Sequence, residues 1–344
     1  MKPQDLQRLE LTQATLLTGQ LRREIKMWKR RHADALANLA DVQAQHDLLV
    51  GADVSHAAPL VIEPRTHSGA GEAVALAAAG DWHVFERVKP AEVNGLNCHN
   101  RTEAHHRIEA LARGIVRWVQ IHRGGTNIHT LILSLLGDLM TNQIHADQLE
   151  GNDGTPQEEL LFLYEHIIGV LEHLKAEGGF QKIIVTCNDG NHGRDTEKLR
   201  NSNRVQHSHE WLLYKLLAQH YAGRHDKVVE FRIAEGTHLY YTVFEKTIRQ
   251  HHGDAIRYFG GVGGPTISIR KAIAEWDKGC RADFDVFGHF HTRIMDGKFL
   301  CNGSLIGYSP YALTIKAPFE PPSQSLLLLD KKRWITSDNR IFVR

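Results

Sequence analysis

Five short polar clusters set the strongest constraint on how this chain can fold. They are Asp81-Trp82-His83, Gly137-Asp138, Gly190-Asn191-His192, His251-His252-Gly253 and Gly288-His289-Phe290-His291. At least four of them end, or closely follow, a short apolar run with the look of a buried strand. Side chains delivered from the ends of several strands can converge on one point, and carboxylate, amide and imidazole donors suit hard-to-borderline divalent cations. The pattern therefore predicts a layered α/β domain with a metal-dependent site at one sheet edge.

The expected elements alternate. Strands are predicted at Ala73–Ala79, Thr130–Leu136, Lys182–Cys187, Val228–Ala234, Tyr240–Phe244, Thr247–Gln250 and Asp285–Phe287. Helices are predicted at Arg107–Ile121, Glu158–Lys175, near His209–Gln219 and near Ile267–Trp276. Residues 1–50 read differently. Ala14, Leu21, Trp28, Ala35, Val42 and Leu49 recur at heptad spacing, with Ile25 and Leu39 on the intervening seam, which predicts a long helix. Thr18, Gly19, His32 and His46 weaken that seam as a coiled coil, so oligomerisation through it is an alternative role. Residues 51–72 read as a linker and 73–344 as the main domain.

With 41 basic and 40 acidic residues in 344, the chain has no general basic coat. The local exception is Arg22 to Arg31, with six basic residues and one acidic around Ile25, Met27 and Trp28. It can contact nucleic acid, or it can be the solvated face of an amphipathic helix. The four cysteines form no CxxC pair, which predicts reduced thiols. No signal-peptide core or bilayer-length apolar run is present, so a soluble cytoplasmic protein is expected.

Each cluster carries its own chemistry. On an extended strand, residues two apart share a face, so Asp81 with His83, and His289 with His291, can each reach one ion from a strand, although such pairs taken singly also arise by chance in a His-rich chain. Asp138 after a glycine turn offers a carboxylate able to bridge two cations. Asn191 offers an amide oxygen, and His192 beside it suits proton transfer better than ligation.

Taken in order, DxH, GD, GNH, HG and GHxH resemble the five-block signature of the calcineurin-like metallophosphoesterases, over roughly residues 73–330. Asp81-Trp-His-Val84, Gly137-Asp-Leu through Ile144-His145, Gly190-Asn-His-Gly-Arg194, Gly288-His-Phe-His291 and Asn302-Gly-Ser-Leu-Ile-Gly-Tyr308 look most like the bacteriophage-encoded members. The resemblance implies a four-layer α-β-β-α sandwich and two metals. One would be held by Asp81, His83, Asp138 and His291, and the other by Asp138, Asn191, His252 and His289. His251 is the alternative to His252. It also implies in-line attack of a metal-bridging hydroxide with His192 as general acid. The expected ions are Mn²⁺ first, then Fe²⁺, Zn²⁺ or Ni²⁺.

The chain departs from that pattern after Asn191-His192. Gly193 and Arg194 stand where the family usually has Asp or Glu to orient the histidine, and Asp189 is the nearest replacement in sequence. Arg194 can contact a substrate phosphate or pair with Asp195 or Glu197. The Met140–Gln157 stretch, the Gly260–Gly264 run, and Asn94, Asn97, His99 and Asn100 are further candidates for the cleft wall. The expected substrate is a phosphodiester in nucleic acid, DNA first. The alternatives are a phosphomonoesterase or small-nucleotide phosphodiesterase and, from another class, a non-catalytic scaffold of the same fold.

Overall fold

A computed structural model describes residues 18–19, 21–40, 42–43, 71–258, 260 and 264–344. The chain divides into two compact units, Met1–Ala58 and Pro59–Arg344. In the first, every described residue from 18 to 43 is helical (α1), and Leu21, Ile25, Trp28, Leu39 and Val42 are exposed. Ala14 and Leu49 of the heptad pattern lie outside the described residues, as do the expected linker over 51–70 and positions 261–263 of the glycine run.

The second unit holds two sheets. One contains β1 (Gly71–Ala79), β2 (Thr126–Leu135), β3 (Lys182–Cys187), β4 (Val229–Ile233), β10 (Ser323–Asp330) and β11 (Trp334–Phe342), in the order β11-β10-β1-β2-β3-β4. Strands β1 to β4 run parallel, and β10 and β11 are antiparallel additions. The other contains β5 (Leu239–Val243), β6 (Lys246–Gln250), β7 (Phe284–Phe287), β8 (Ile294–Met295) and β9 (Phe299–Cys301), in the order β5-β6-β7-β9-β8. Here β6, β7 and β9 are parallel.

Side-chain alternation in β1 sorts the layers. Ala73, Ala75, Ala77 and Ala79 face a core shared with the helices α2 (Arg101–Arg123), α4 (Pro156–Gly178) and α5 (His209–Gly223). Val74, Leu76 and Ala78 face the second sheet, against Tyr241, Ile248, Phe284, Val286 and Leu300. The outer face of that sheet is covered by Ile269 and Ile273 of α6 (Thr266–Trp276), on Phe287, Phe299 and Cys301. The result is the expected α-β-β-α sandwich. Its parallel central strands are apolar on both faces because both are covered, and each fully buried Leu or Val contributes about 1.5–3 kcal/mol.

Several boundaries differ from the sequence reading. Helix α2 begins at Arg101 because the Asn100 side chain accepts from the Glu103 N–H, so a cap sets the start and not the apolar stripe. Helix α4 begins at Pro156, where Thr155 and Glu158 form a reciprocal capping box. Strand β1 takes Gly71 and Glu72 from the expected linker. The pattern left β8 to β11 unnamed. Within β10, the run Leu326–Leu329 is buried on both faces and shows no alternation.

Candidate metal centre

All five polar clusters leave the carboxyl ends of parallel strands: β1, β2 and β3 from one sheet, β6 and β7 from the other. The expectation that Asp81/His83 and His289/His291 project from a strand is corrected here. Strands β1 and β7 end at Ala79 and Phe287, and all four residues lie in the loops beyond. They adopt left-handed backbone, with φ of 52° at Asp81, 43° at His83, 71° at His289 and 51° at His291, and Asp138 does the same at 50°. Such positions cost non-glycine residues about 1–3 kcal/mol each. Five of them in one site mean that packing elsewhere holds the loops in a conformation chosen for where the side chains point.

Two groups of donors result. Asp81, His83 and His291 bring one donor atom each within 4.8 Å of one another, and Asp138, His252 and His289 do the same. Either group can hold a metal ion. In the first, His83 Nε2 is 3.2 Å from His291 Nε2, and His291 Nε2 is 3.4 Å from Asp81 Oδ1. In the second, the His252 Nδ1–H donates to the Leu136 carbonyl at 2.8 Å, which turns Nε2 toward Asp138 Oδ2 at 3.0 Å and Asn191 Oδ1 at 3.1 Å. With Nε2 unprotonated, three lone-pair-bearing atoms converge, an arrangement that either a cation between them or a proton on Nε2 satisfies. The donor set therefore fits a pair of divalent ions.

Charge and burial set the protonation of these groups. Burial lowers the His252 pKa, but the Asp138 carboxylate outweighs it and raises the group to about 10. Burial also opposes ionisation of Asp138, yet the surrounding His252 and His192 hold it well below the usual carboxylate range. Burial drives His83 well below its ordinary value and His289 down to about 4. His251, the alternative ligand, is turned away. Its ring stacks on Phe287 with centroids 4.7 Å apart, and its Nε2 lies 3.5 Å from Asp285.

His192 lines the same cleft of about 620 Å³, beside His83, Asp138, Asn191, His289 and His291. Its Nδ1 lies 3.0 Å from the Thr141 carbonyl and 3.2 Å from Gln148 Nε2. The orienting group is therefore a backbone carbonyl, not a carboxylate. Asp189 is committed elsewhere: Arg204 Nε donates to it at 2.8 Å, and Arg204 Nη1 to Asp254 at 2.7 Å. Asn142, with φ 58°, reinforces the loop by donating to the carbonyls of His192 and Arg194, both at 2.8 Å.

Arg194 is turned into its own loop. Its guanidinium donates to the carbonyls of Asn191 at 2.6 Å, Thr196 at 3.1 Å and Glu197 at 3.4 Å, and it is not among the cleft-lining residues. Asn94, Asn97, His99 and Asn100 are likewise structural. Asn97 donates to the Ile306 and Tyr308 carbonyls, the buried His99 lies between the His83 carbonyl and Arg107, and Asn94 closes a turn. The Met140–Gln157 stretch does border the cleft, through His145, Asp147, Gln148, Gly151 and Asn152 on and around the short helix α3 (Ala146–Gly151). The cleft rim also carries Glu86, Arg87, Lys89, Glu92 and the exposed Tyr311. Burial pushes Glu86 up to about 7.

Two buried acids escaped the sequence reading. The Glu159 carboxylate accepts from the N–H groups of Phe85, Thr141 and Asn142. Glu210 accepts from four, those of Asp138, Leu139, Met140 and Gly190. Each sits near the start of a predicted helix, where an acid reads as a dipole partner. Nothing in the pattern distinguishes a buried one from an exposed one.

Among the described residues, no helix is long and apolar enough to cross a membrane. The four cysteines are free thiols, Cys187 and Cys301 buried and Cys98 and Cys280 exposed. Neither a protein-family model nor a curated protein matches the chain. Solved structures give distant likenesses. Vps29 of Entamoeba histolytica complexed with Zn²⁺ is 14% identical, covering 78% of this chain and 99% of that one at a TM-score of 0.30. A hypothetical protein of Pyrococcus horikoshii is 12% identical, covering 79% and 88% at 0.37. A conserved uncharacterized protein of Streptococcus pneumoniae, described as a predicted phosphoesterase, is 12% identical, covering 61% and 95% at 0.26.

Proposed function

We propose that this chain is a two-metal phosphoesterase that hydrolyses phosphodiester bonds, with DNA as its substrate. The observation that carries the reading is the pair of donor groups meeting at Asp138, with His192 beside them in one cleft. Asp81, His83 and His291 would hold one ion and Asn191, His252 and His289 the other, with Asp138 shared between them. Mn²⁺ is taken as the first ion to test; the mixed oxygen and nitrogen donors suit Fe²⁺, Zn²⁺ or Ni²⁺ as well. Divalent ions held there would neutralise phosphoryl charge and make a water acidic enough to attack at neutral pH.

The chain's own residues do the rest. The His192 N–H donates to Asp138 Oδ1 at 2.7 Å, so the loop bearing the proton donor also fixes the shared carboxylate. With Nδ1 held at the Thr141 carbonyl, Nε2 on the opposite side of the ring is left to face the cleft. There it can give a proton to the departing ester oxygen, a role worth about 10²–10⁴ in rate. Arg194, with its three carbonyls, holds the loop and leaves phosphate charge to the ions.

The DNA assignment draws on the basic segment Arg22–Arg31 of α1, where Trp28 is exposed. A second reading, a small-nucleotide phosphodiesterase, is favoured by the cleft's size and by a rim whose acids, Glu92 and Asp147, are matched only by Arg87 and Lys89, so that it offers a long polyanion no net positive track. The deciding experiment uses Mn²⁺-loaded protein and His192→Ala on labelled single- and double-stranded DNA, bis-p-nitrophenyl phosphate and p-nitrophenyl phosphate. DNA cleavage abolished in the variant supports the nuclease. Cleavage of the small esters alone selects the second reading. No hydrolysis of any of the four by protein with metal bound would sink both.

A further inference from the structure

Strands β2 and β3 pair in parallel as far as Leu135 and Cys187, and their ladder ends there. Asp138 lies three residues past one strand and Asn191 four past the other, so the sheet does not itself set the spacing of these two side chains. The Glu210 carboxylate spans the gap. It accepts from Leu139 and Met140 at 2.6 and 3.3 Å through Oε1, and from Gly190 and Asp138 at 2.6 and 3.3 Å through Oε2. Glu210 is fully buried at the second position of α5. Without it, four backbone donors would converge with no acceptor, at about 1–3 kcal/mol for each one left buried and unpaired.

The approach path is also specified. The start of α5 is strapped to the Asn191 loop by the His209 N–H donating to the Gly193 carbonyl at 2.7 Å and by a bridge between Arg194 and Ser208. A Cβ added at Gly193 would stand 2.8 Å from Glu210 Cγ and 3.1 Å from its Cδ. The carboxylate can therefore reach the two loops only because residue 193 has no side chain. We propose that Glu210 is a positioning residue that braces the Asp138 and Asn191 loops at metal-binding distance, and that Gly193 is the opening through which it does so. This rests on the two-metal reading above.

The geometry predicts an exchange: a carboxylate placed at 193 should substitute for one lost at 210, because both would occupy the same space. The test is Mn²⁺ titration calorimetry on the full chain, with thermal melts and bis-p-nitrophenyl phosphate kinetics alongside. It compares wild type, Glu210→Ala, Glu210→Gln, Gly193→Asp and the double variant Gly193→Asp/Glu210→Ala. Glu210→Ala should weaken Mn²⁺ binding about 10–100-fold, as loss of an outer-shell partner does. Glu210→Gln keeps the volume but sets an NH₂ against backbone N–H groups, so it should fall between; it is read if Glu210→Ala fails to fold. Gly193→Asp alone should also be damaged, yet the double variant should bind at least about tenfold more tightly than Glu210→Ala, a sign reversal that only coupled residues give.

Wild-type Mn²⁺ affinity in both Glu210 variants, or a double variant no better than Glu210→Ala, would overturn the brace alone. A wild-type chain that takes up no Mn²⁺ would instead bring down the phosphoesterase reading and the brace with it.

Discussion

The Nε2 atoms of His83 and His291 face each other across 3.2 Å, with an Asp81 oxygen 3.4 Å from the second. Two neutral imidazoles can share one proton in this arrangement, but a cation satisfies both nitrogens and the carboxylate together. His83→Ala or His291→Ala should therefore lower metal content from two ions per chain toward one. Asp138→Asn should remove both, since it takes away the shared charge without changing shape. Elemental analysis after equilibration with Mn²⁺ measures this directly. Two ions retained in Asp138→Asn would contradict the shared role.

His192 makes a different prediction because its two contributions come from different atoms. The backbone N–H holds Asp138 and survives any side-chain replacement except proline; the ring alone faces the cleft. His192→Ala should leave metal stoichiometry intact while reducing turnover on the chromogenic diester by about 10²–10⁴. Loss of metal in step with activity would show the ring to be a ligand instead.

These side chains were legible through the order of the five clusters, which resembles a known signature; taken singly, each reads at least as well as a turn or a chance pair. The layered α/β class followed from the alternation of strands and helices, whereas the four-layer sandwich came from the resemblance. The means of delivery was not legible. A two-residue spacing reads as a strand face, whereas Asp81, His83, His289 and His291 reach the site through left-handed loop backbone that only three-dimensional packing can enforce. The supporting acids were hidden for another reason. Glu159 and Glu210 look like ordinary first-turn helix carboxylates, and their value lies in the backbone donors that distant loops bring to them. Asp189 stands only three residues from His192, yet it serves Arg204, because proximity along the chain carries no information about which way a turn faces.

The basic segment of α1 has a salt-dependent test. Replacing Arg22, Arg23, Lys26, Lys29, Arg30 and Arg31 by Gln should weaken DNA binding and flatten the dependence of log K on log salt. The slope should change by up to about 0.9 for each phosphate that is no longer neutralised. Hydrolysis of bis-p-nitrophenyl phosphate should not change, because the side chains of the candidate metal centre are untouched. An unaltered slope would remove α1 from substrate binding and leave self-association, readable by sedimentation, as its role.

Glu159 gives a prediction for stability against pH. It is buried on α4, and its carboxylate accepts from Thr141 at 2.7 Å, Asn142 at 2.9 Å and Phe85 at 3.3 Å, tying together the loops that follow β1 and β2. Burial raises its pKa from 4.5 to about 7, against the pull of those three N–H donors. Between those two values the native chain holds more of this proton than the unfolded chain does, so the group's contribution to stability falls as pH rises through the window and is level on either side. Glu159→Gln cannot titrate here, and the other groups cancel when the two proteins are compared. The stability of wild type relative to Glu159→Gln should therefore be greatest below about pH 4.5 and decline by up to roughly 3 kcal/mol by pH 7.5. Urea midpoints in chelator across that range supply the measurement. A difference that stays constant would mean the carboxylate is ionised throughout, its three donors outweighing the cost of burial.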